Sequence, residues 1–409
     1  MESSKKIAIF IDSRKESGGE YQHLLYTIDN IKRKNKNRYK FLIICLSKDL
    51  NIHLYSSEDI EVKFFSLNAV QRYICYLRNH NSFFSRLKNY FFLKNKFEDY
   101  LKKNNVDLVY FLSPSQYSLY LEDIKFFITV PDVDHREHLE FPELVDKNEF
   151  QRKNEIFSKS LIKAQAVITN AEIIKNRLVK YYNVSPERIF IISLRPALSI
   201  NNFNLEDIDK EKNLAIKEKY KLSDNYIYYP AMYLPHKNHR IIIESIKKLK
   251  LKNPKIKAVF TGSDTGYKKN LINYAKTQNV FENIKFLNFV DDQELPYIYL
   301  NSQIIVFPVL IGPTFIPVWE AFKMKKPVIF SNLEGVKNVY GDAVHYVNPF
   351  DSEDIIKAIE QIKNDEIYKK SLIESATIRL KNIENDDQYS KVFSIIQNYR
   401  KIKKTWEIR

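Results

Sequence analysis

The stretch FPVLIGPTFIPVWEAFKMKKPVIFSN, residues 307–332, decides the fold. An apolar strand closes at Val309, a turn carries Gly312, Pro313, Thr314 and Pro317, the run VWEAFKMK reads as a helix, and KPVIFSN is apolar again. Strand, turn, helix and strand in so short a span is the repeating unit of a parallel sheet covered by helices. The two prolines set the shape of the turn and Gly312 relieves it.

The same alternation extends in both directions. KIAIFID, KFLIICLS, DLVYFLS, FFITVPD, AVITN and RIFIISL are strand candidates in the first half, and NYIYYPA, KAVFTGS, IKFLNFV, IIVFPV, KPVIFSN and AVHYVN in the second. Amphipathic stretches such as EYQHLLYTIDNIKRKN and HRIIIESIKKLKLKN lie between them. The charged stretch at residues 201–225 separates the two series. The expected architecture is α/β: two Rossmann-like, doubly wound domains facing each other across a cleft. Residues 1–200 form the N-terminal domain and 201–385 the C-terminal domain. Residues 386–409 are a C-terminal helix expected to pack back on the first. Ligands of such sheets bind at the carboxyl ends of the strands.

Composition narrows the class. The 409 residues are 44% hydrophobic and 14% aromatic, as suits folded domains rather than disorder. Cys45 and Cys75 have no metal-ligand spacing and read as buried thiols. The start of the chain runs straight into a strand without a secretory apolar core, and no apolar run is long enough to span a bilayer, so the expected location is cytoplasmic, peripheral on the inner face of the membrane. With 65 basic against 50 acidic side chains, the net charge of +15 implies attraction to anions: nucleic acid, acidic lipid or phosphorylated small molecules. An AT-rich genome would also enrich lysine.

Seven glycines are few for this length, so each marks a backbone position to inspect. Gly18 and Gly19 open the first long helix, where free N–H groups face an anion, or form a plain surface turn. Gly262 and Gly312 follow strands. Glu320, one turn into its helix, either accepts hydrogen bonds from vicinal hydroxyls or complements the helix dipole. In PHKNH, residues 235–239, Lys237 with His236 and Asn238 beside it suits a diphosphate held without a metal, unless it is one more solvated lysine.

In order and spacing these segments resemble the retaining, nucleotide-sugar-dependent glycosyltransferases of the GT-B fold, family 4. The resemblance runs from GGEYQH through PDVDHREHLEFPE, YPAMYLPHKNH and VFTGSD to GPTFIPVWEAFKMKKPVIFS and GDAVHYVNPF. It implies that Gly18, Gly19, His236, Asn238, Gly262, Gly312, Pro313, Thr314 and Glu320 contact the donor, that Lys237 clamps its diphosphate, and that Asp132 and His135 lie on the acceptor side with catalytic roles. The family's paired glutamates are Glu-x7-Glu; the second matches Glu320, while the first position is Gly312, as in the variant reading Gly-Pro-Thr. The arginine of the family's Arg-Lys clamp is replaced by Met232, and Pro131 stands where a histidine is common. The resemblance further implies no cofactor and no metal, a nucleoside diphosphate sugar as donor, and a saccharide acceptor, lipid-linked, in the synthesis of cell-surface polysaccharide. A catalytically impaired nucleotide-sugar or glycan-binding member of the same fold is the alternative. Nucleic acid is not expected as a partner, because no helix-turn-helix, zinc-finger or RNA-binding signature occurs.

Residues 68–104 interleave Tyr73, Tyr76, Phe83, Phe84, Tyr90, Phe91 and Phe92 with Arg72, Arg78, Arg86, Lys88, Lys94 and Lys96. Such a segment suits an anionic membrane surface, or its rings pack against the first sheet.

Overall fold

Unbroken apolar runs, unlike alternating ones, mark strands covered on both faces, and both series form such sheets. In the computed structural model, which describes residues 5–12, 18–47, 52, 55–80 and 94–406, every strand pairing within the two sheets is parallel. The first sheet contains β1 Lys6–Ile11, β2 Lys40–Cys45, β3 Ile60–Phe64, β4 Val106–Phe111, β5 Lys125–Thr129, β6 Val167–Thr169 and β7 Ile189–Ile191. Its spatial order is β3-β2-β1-β4-β5-β6-β7. The second contains β8 Tyr226–Pro230, β9 Ala258–Thr261, β10 Ile284–Phe286, β11 Ser302–Phe307, β12 Val328–Ser331 and β13 His345–Val347, in the order β10-β9-β8-β11-β12-β13. This is the expected pair of Rossmann-like α/β sheets.

The two-residue period of a strand sends neighbouring side chains to opposite faces. From β1, Ala8 and Phe10 join one buried cluster with Phe97, Val109 and Phe111. Ile7, Ile9 and Ile11 join another with Leu24 and Ile28 of the Gly19–Asn35 helix. Phe393 and Ile396 belong to this second cluster, so the Ser390–Trp406 helix at the end of the chain covers the first sheet. Arg400 and Lys403 on that helix reach the Asp107 carboxylate at 3.2 and 3.4 Å. A separate core runs from Leu194 to Leu380 and belongs to the second sheet.

Two elements were not expected from the sequence. β3, IEVKF, buries only Ile60 fully, because it is an edge strand whose charged residues face outward. Within the charged stretch 201–225, Lys210–Tyr220 is a helix, capped by the Asp209 side chain, which accepts the Lys212 N–H at 2.9 Å. Only Ile216 of that helix is buried, so the stretch has little apolar periodicity to read.

Candidate functional site

In the second sheet, β8 leads outward to β9 and β10 on one side, and β11 to β12 and β13 on the other. The crevice between β8 and β11 is therefore the topological switch point, where an open α/β sheet takes its ligands. The loop after β8 carries His236, Lys237 and Asn238; the loop after β11 carries Gly312, Pro313 and Thr314. The Leu310 N–H donates to the His236 carbonyl at 2.9 Å and ties the two loops together. In the first sheet the switch point lies between β1 and β4, and Gly18 and Gly19 follow β1. Gly18 has φ 59°, a region glycine enters freely, and a Cβ on Gly19 would stand 3.7 Å from Ile316 Cδ1. The first loop of one lobe thus meets the start of the Ile316–Lys323 helix of the other.

Lys237 sits at the centre. Its Nζ lies 4.1 Å from the centroid of the Phe315 ring, a cation held over an aromatic face. Burial lowers its ammonium from 10.5 to about 8, opposed by the charges of Asp134, Asp132 and Glu143. The backbone around it is fixed independently of its side chain. The Tyr229 hydroxyl donates to the Lys237 carbonyl at 2.6 Å. Asn238, in the left-handed conformation at φ 56°, donates to the carbonyls of Pro308 and Pro349 at 3.0 and 2.8 Å. Asn238 is accordingly a brace for three loops, its amide occupied by protein.

His236 joins the lobes. Glu143 Oε1 accepts its N–H at 3.0 Å and lies 2.5 Å from its Nδ1. Burial and then Lys237 lower the imidazole to about 4, so at neutral pH the ring is uncharged and Nδ1 carries the proton it shares with the carboxylate. A second cross-lobe bond runs from Thr314 Oγ1 to Asn170 Oδ1 at 3.2 Å.

From the first lobe, Asp132, Asp134 and His135 follow β5, the last two in a short 3-10 turn. His135 is 0% exposed: its Nε2 is 2.8 Å from the Tyr182 hydroxyl and its ring packs on Phe157 at 5.1 Å. The structure places it in the core of the first lobe. Asp132, half-buried, accepts the Asp134 N–H at 3.4 Å. Asp134, which sequence reasoning passed over, is the acid beside Gly312. Its Oδ2 lies 3.8 Å from where a Cβ on Gly312 would stand, and its Oδ1 lies 3.7 Å from Arg177 Nη1. Burial raises its carboxyl to about 7, with Asp132 adding to the rise. Its only signal in the sequence is that two acids follow one strand.

A cleft of about 430 Å³ opens at this junction, lined by Arg136, Arg177 and Tyr181 of the first lobe and by Gly312, Pro313 and Glu334 of the second. Arg177 Nε holds Glu137 at 2.8 Å and its Nη2 reaches Glu334 at 3.5 Å, across the lobes. Arg177 is the guanidinium paired with Asp134, in a chain where position 232 offers only Met232.

Glu320 is buried with protein partners. It is 3% exposed, accepts from the Tyr299 hydroxyl at 2.7 Å and from the Ala197 N–H at 3.4 Å, and burial raises its carboxyl from 4.5 to about 7. A carboxyl raised on folding binds its proton more tightly in the folded chain. Its contribution to stability is therefore complete below the ordinary value and is lost as pH rises through about 7. Glu320→Gln should remove a pH-dependent term on the order of 3 kcal/mol between pH 4 and pH 7. Unfolding free energies of the two chains measured across that range check this, and parallel curves would refute it.

Gly262 has a structural reason. A Cβ there would stand 2.2 Å from the Ala231 carbonyl oxygen, so β9 and the loop after β8 approach closer than any side chain permits. Among the described residues, no group of three His, Cys, Asp or Glu side chains is placed to hold a metal ion, and no helix is long and apolar enough to cross a membrane. On the Ala69–His80 helix, Tyr73 is exposed, while Tyr76 donates to Glu155 at 2.6 Å and Arg78 pairs with Glu122 at 2.7 Å. Phe83, Phe84, Arg86, Lys88, Tyr90, Phe91 and Phe92 lie outside the described residues.

Comparison with known proteins bears on this geometry. The sequence pattern of the family described as Glycosyl transferases group 1 matches residues 210–379. The chain is 22% identical over 231 residues to the O-antigen chain mannosyltransferase B of Escherichia coli; the match covers 56% of this chain and 59% of that protein. The chain therefore spans a little over half the length of that relative. A solved glycosyltransferase from Rickettsia africae superposes with a TM-score of 0.69 at 18% identity, covering 99% of this chain and 100% of the other. Anabaena HepE, solved with UDP and glucose, superposes with a TM-score of 0.68 at 16% identity, covering 98% and 100%. Residues 210–379 thus match the glycosyl transferases group 1 family, and the whole chain takes the two-lobed GT-B fold of solved glycosyltransferases.

Proposed function

We propose that the chain is a retaining glycosyltransferase of family 4 that moves a hexosyl group from a nucleoside diphosphate sugar to a saccharide acceptor. The observation that carries this reading is the convergence of Lys237 with the Gly312–Phe315 turn at the switch point of the second sheet, facing the Gly18–Gly19 loop of the first. In the transfer, the bond from the anomeric carbon to the diphosphate oxygen breaks, and a bond to an acceptor hydroxyl oxygen forms with the configuration kept. The acceptor proton leaves with the diphosphate. Charge grows on the leaving diphosphate, and fixed donors aimed at that charge stabilise the transition state more than the substrate. Lys237 supplies the cation, and the starts of the Gly19–Asn35 and Ile316–Lys323 helices supply N–H groups.

Glu320 is read as the ribose carboxylate; it would exchange its bond from Tyr299 for the ribose hydroxyls. Asp132, whose charge acts on Lys237, is read as the acidic partner of that lysine, and His135 is read as acting only through the turn it anchors in the core. Cell-surface polysaccharide synthesis, with a lipid-linked acceptor at an anionic membrane surface, is the setting that the relatives' O-antigen activity and the exposed Arg72 and Tyr73 support. A mannosyl nucleotide is the first donor to test.

The test is to incubate the chain with guanosine and uridine diphosphate sugars and a lipid-linked saccharide, with and without EDTA. Transfer with retained configuration, within about twofold in EDTA, is expected because Lys237 and the helix starts take the diphosphate's charge. A strict metal requirement would overturn the clamp, and binding of sugar nucleotides without any transfer would overturn the enzyme reading.

A further inference from the structure

We propose that Asp134, reaching across from the first lobe to the Gly312 turn, recognises the hydroxyl groups of the transferred sugar. The proposal rests on the glycosyl-transfer reading above and names a residue for it. Position 312 holds no side chain for a physical reason. Its φ of 90° is strained for any residue with a Cβ, and a Cβ would press to 3.2 Å on the Phe315 ring. Asp134 Oδ2 stands 3.8 Å from that unfilled Cβ position, so a carboxylate from the opposite lobe borders the turn.

Asp134 is also short of donors. Its Oδ1 is buried and accepts no hydrogen bond among the described residues. Arg177 Nη1, at 3.7 Å, is beyond hydrogen-bonding reach, and Arg177 is shared with Glu137 and Glu334. A buried carboxylate with unfilled lone pairs is costly unless something donates to it. A ligand hydroxyl suits those lone pairs, and charge selects which part of a ligand fits. Lys237, which feels the charge of Asp134, draws the diphosphate. Ionised, the Asp134 carboxylate repels phosphate, and in either state it accepts from hydroxyls, so the group that fits next to it is neutral and rich in hydroxyl donors. In a nucleoside diphosphate sugar that group is the glycosyl unit. Gly312 and Arg177, the two residues Asp134 adjoins, line the 430 Å³ cleft, though the Asp134 side chain itself does not.

Calorimetric titration of the full chain with UDP, UDP-glucose, GDP and GDP-mannose tests this. The wild type should bind one sugar nucleotide more tightly than the matching bare nucleotide. Asp134→Asn should still bind the bare nucleotide and lose about tenfold or more of the preference for the sugar, since a hydrogen bond to a charged group is removed. Thermal unfolding of the unliganded variant shows that it is folded. If it is not, Asp134→Glu takes its place; it keeps the charge facing Arg177, crowds the sugar by one methylene, and should lose the same preference. Equal affinities in the wild type, a preference that survives substitution, or loss of bare-nucleotide binding in the variants would each overturn the proposal. A wild type that binds none of the four probes would overturn the nucleotide-sugar reading itself, and the proposal with it.

Discussion

Replacing Lys237 with alanine is expected to lower glycosyl transfer by roughly two to three orders of magnitude, the cost of losing one fixed donor from a site where charge develops. The chain should remain folded, because the turn does not depend on this side chain. Its carbonyl is held by Tyr229, its neighbour His236 by Glu143, and Asn238 by two proline carbonyls. What the side chain itself contacts is the Phe315 ring. The ammonium should also show in the pH profile. Because burial lowers it to about 8 in the free protein, kcat/KM should fall as pH rises past that value. The diphosphate, once bound, favours the charged form, so the fall in kcat should come at higher pH. Steady-state rates of both chains from pH 6.5 to 9.5, with unfolding followed in parallel, provide the check. Near-normal turnover in the alanine chain, or a flat kcat/KM across that range in the wild type, would remove Lys237 from the mechanism.

The second large effect is structural. Gly262→Ala should destabilise the chain by about 3 kcal/mol, the upper part of the range for overpacking a closed site. The atoms a Cβ would meet are Ala231 O at 2.2 Å, Ala231 C at 2.5 Å and Met232 N at 2.8 Å. All three belong to backbone, so no rotamer change relieves the contact. β9 and the loop after β8 must separate, and that loop leads directly to Lys237. Donor affinity should therefore fall together with the denaturation midpoint. An alanine chain with an unchanged midpoint would show that the two segments have slack the geometry does not suggest.

Both predictions concern loops whose place was legible in the sequence. Lys237 and Gly312 were identified by what surrounds them, a basic residue in a proline-bounded turn and a glycine in a chain that uses few. Strand order was not legible, and it is strand order that makes β8 and β11 neighbours and their loops one site. The edge strand β3 escaped notice because an edge needs little apolar surface: of IEVKF only Ile60 is fully buried. His135 and Asp134 illustrate the harder limit. They are adjacent in a 3-10 turn, where successive side chains point about 120° apart. One goes into the core against Tyr182 and Phe157, and the other goes to Gly312. Glu320 resembles a ligand-binding carboxylate in sequence, yet its oxygens accept from Tyr299 and Ala197, residues distant from it along the chain.

What the sequence determined alone was the class of architecture and the loops that carry charge, because apolar periodicity, prolines and rare glycines act locally on the backbone. Which side chains share a site was decided by the tertiary structure. The Asp134 carboxylate comes within reach of Gly312 only when the two sheets dock, and two bonds across that docking, His236 to Glu143 and Thr314 to Asn170, join residues 93 and 144 positions apart. No local pattern encodes a contact of that range, since its free energy depends on the packing of both lobes at once.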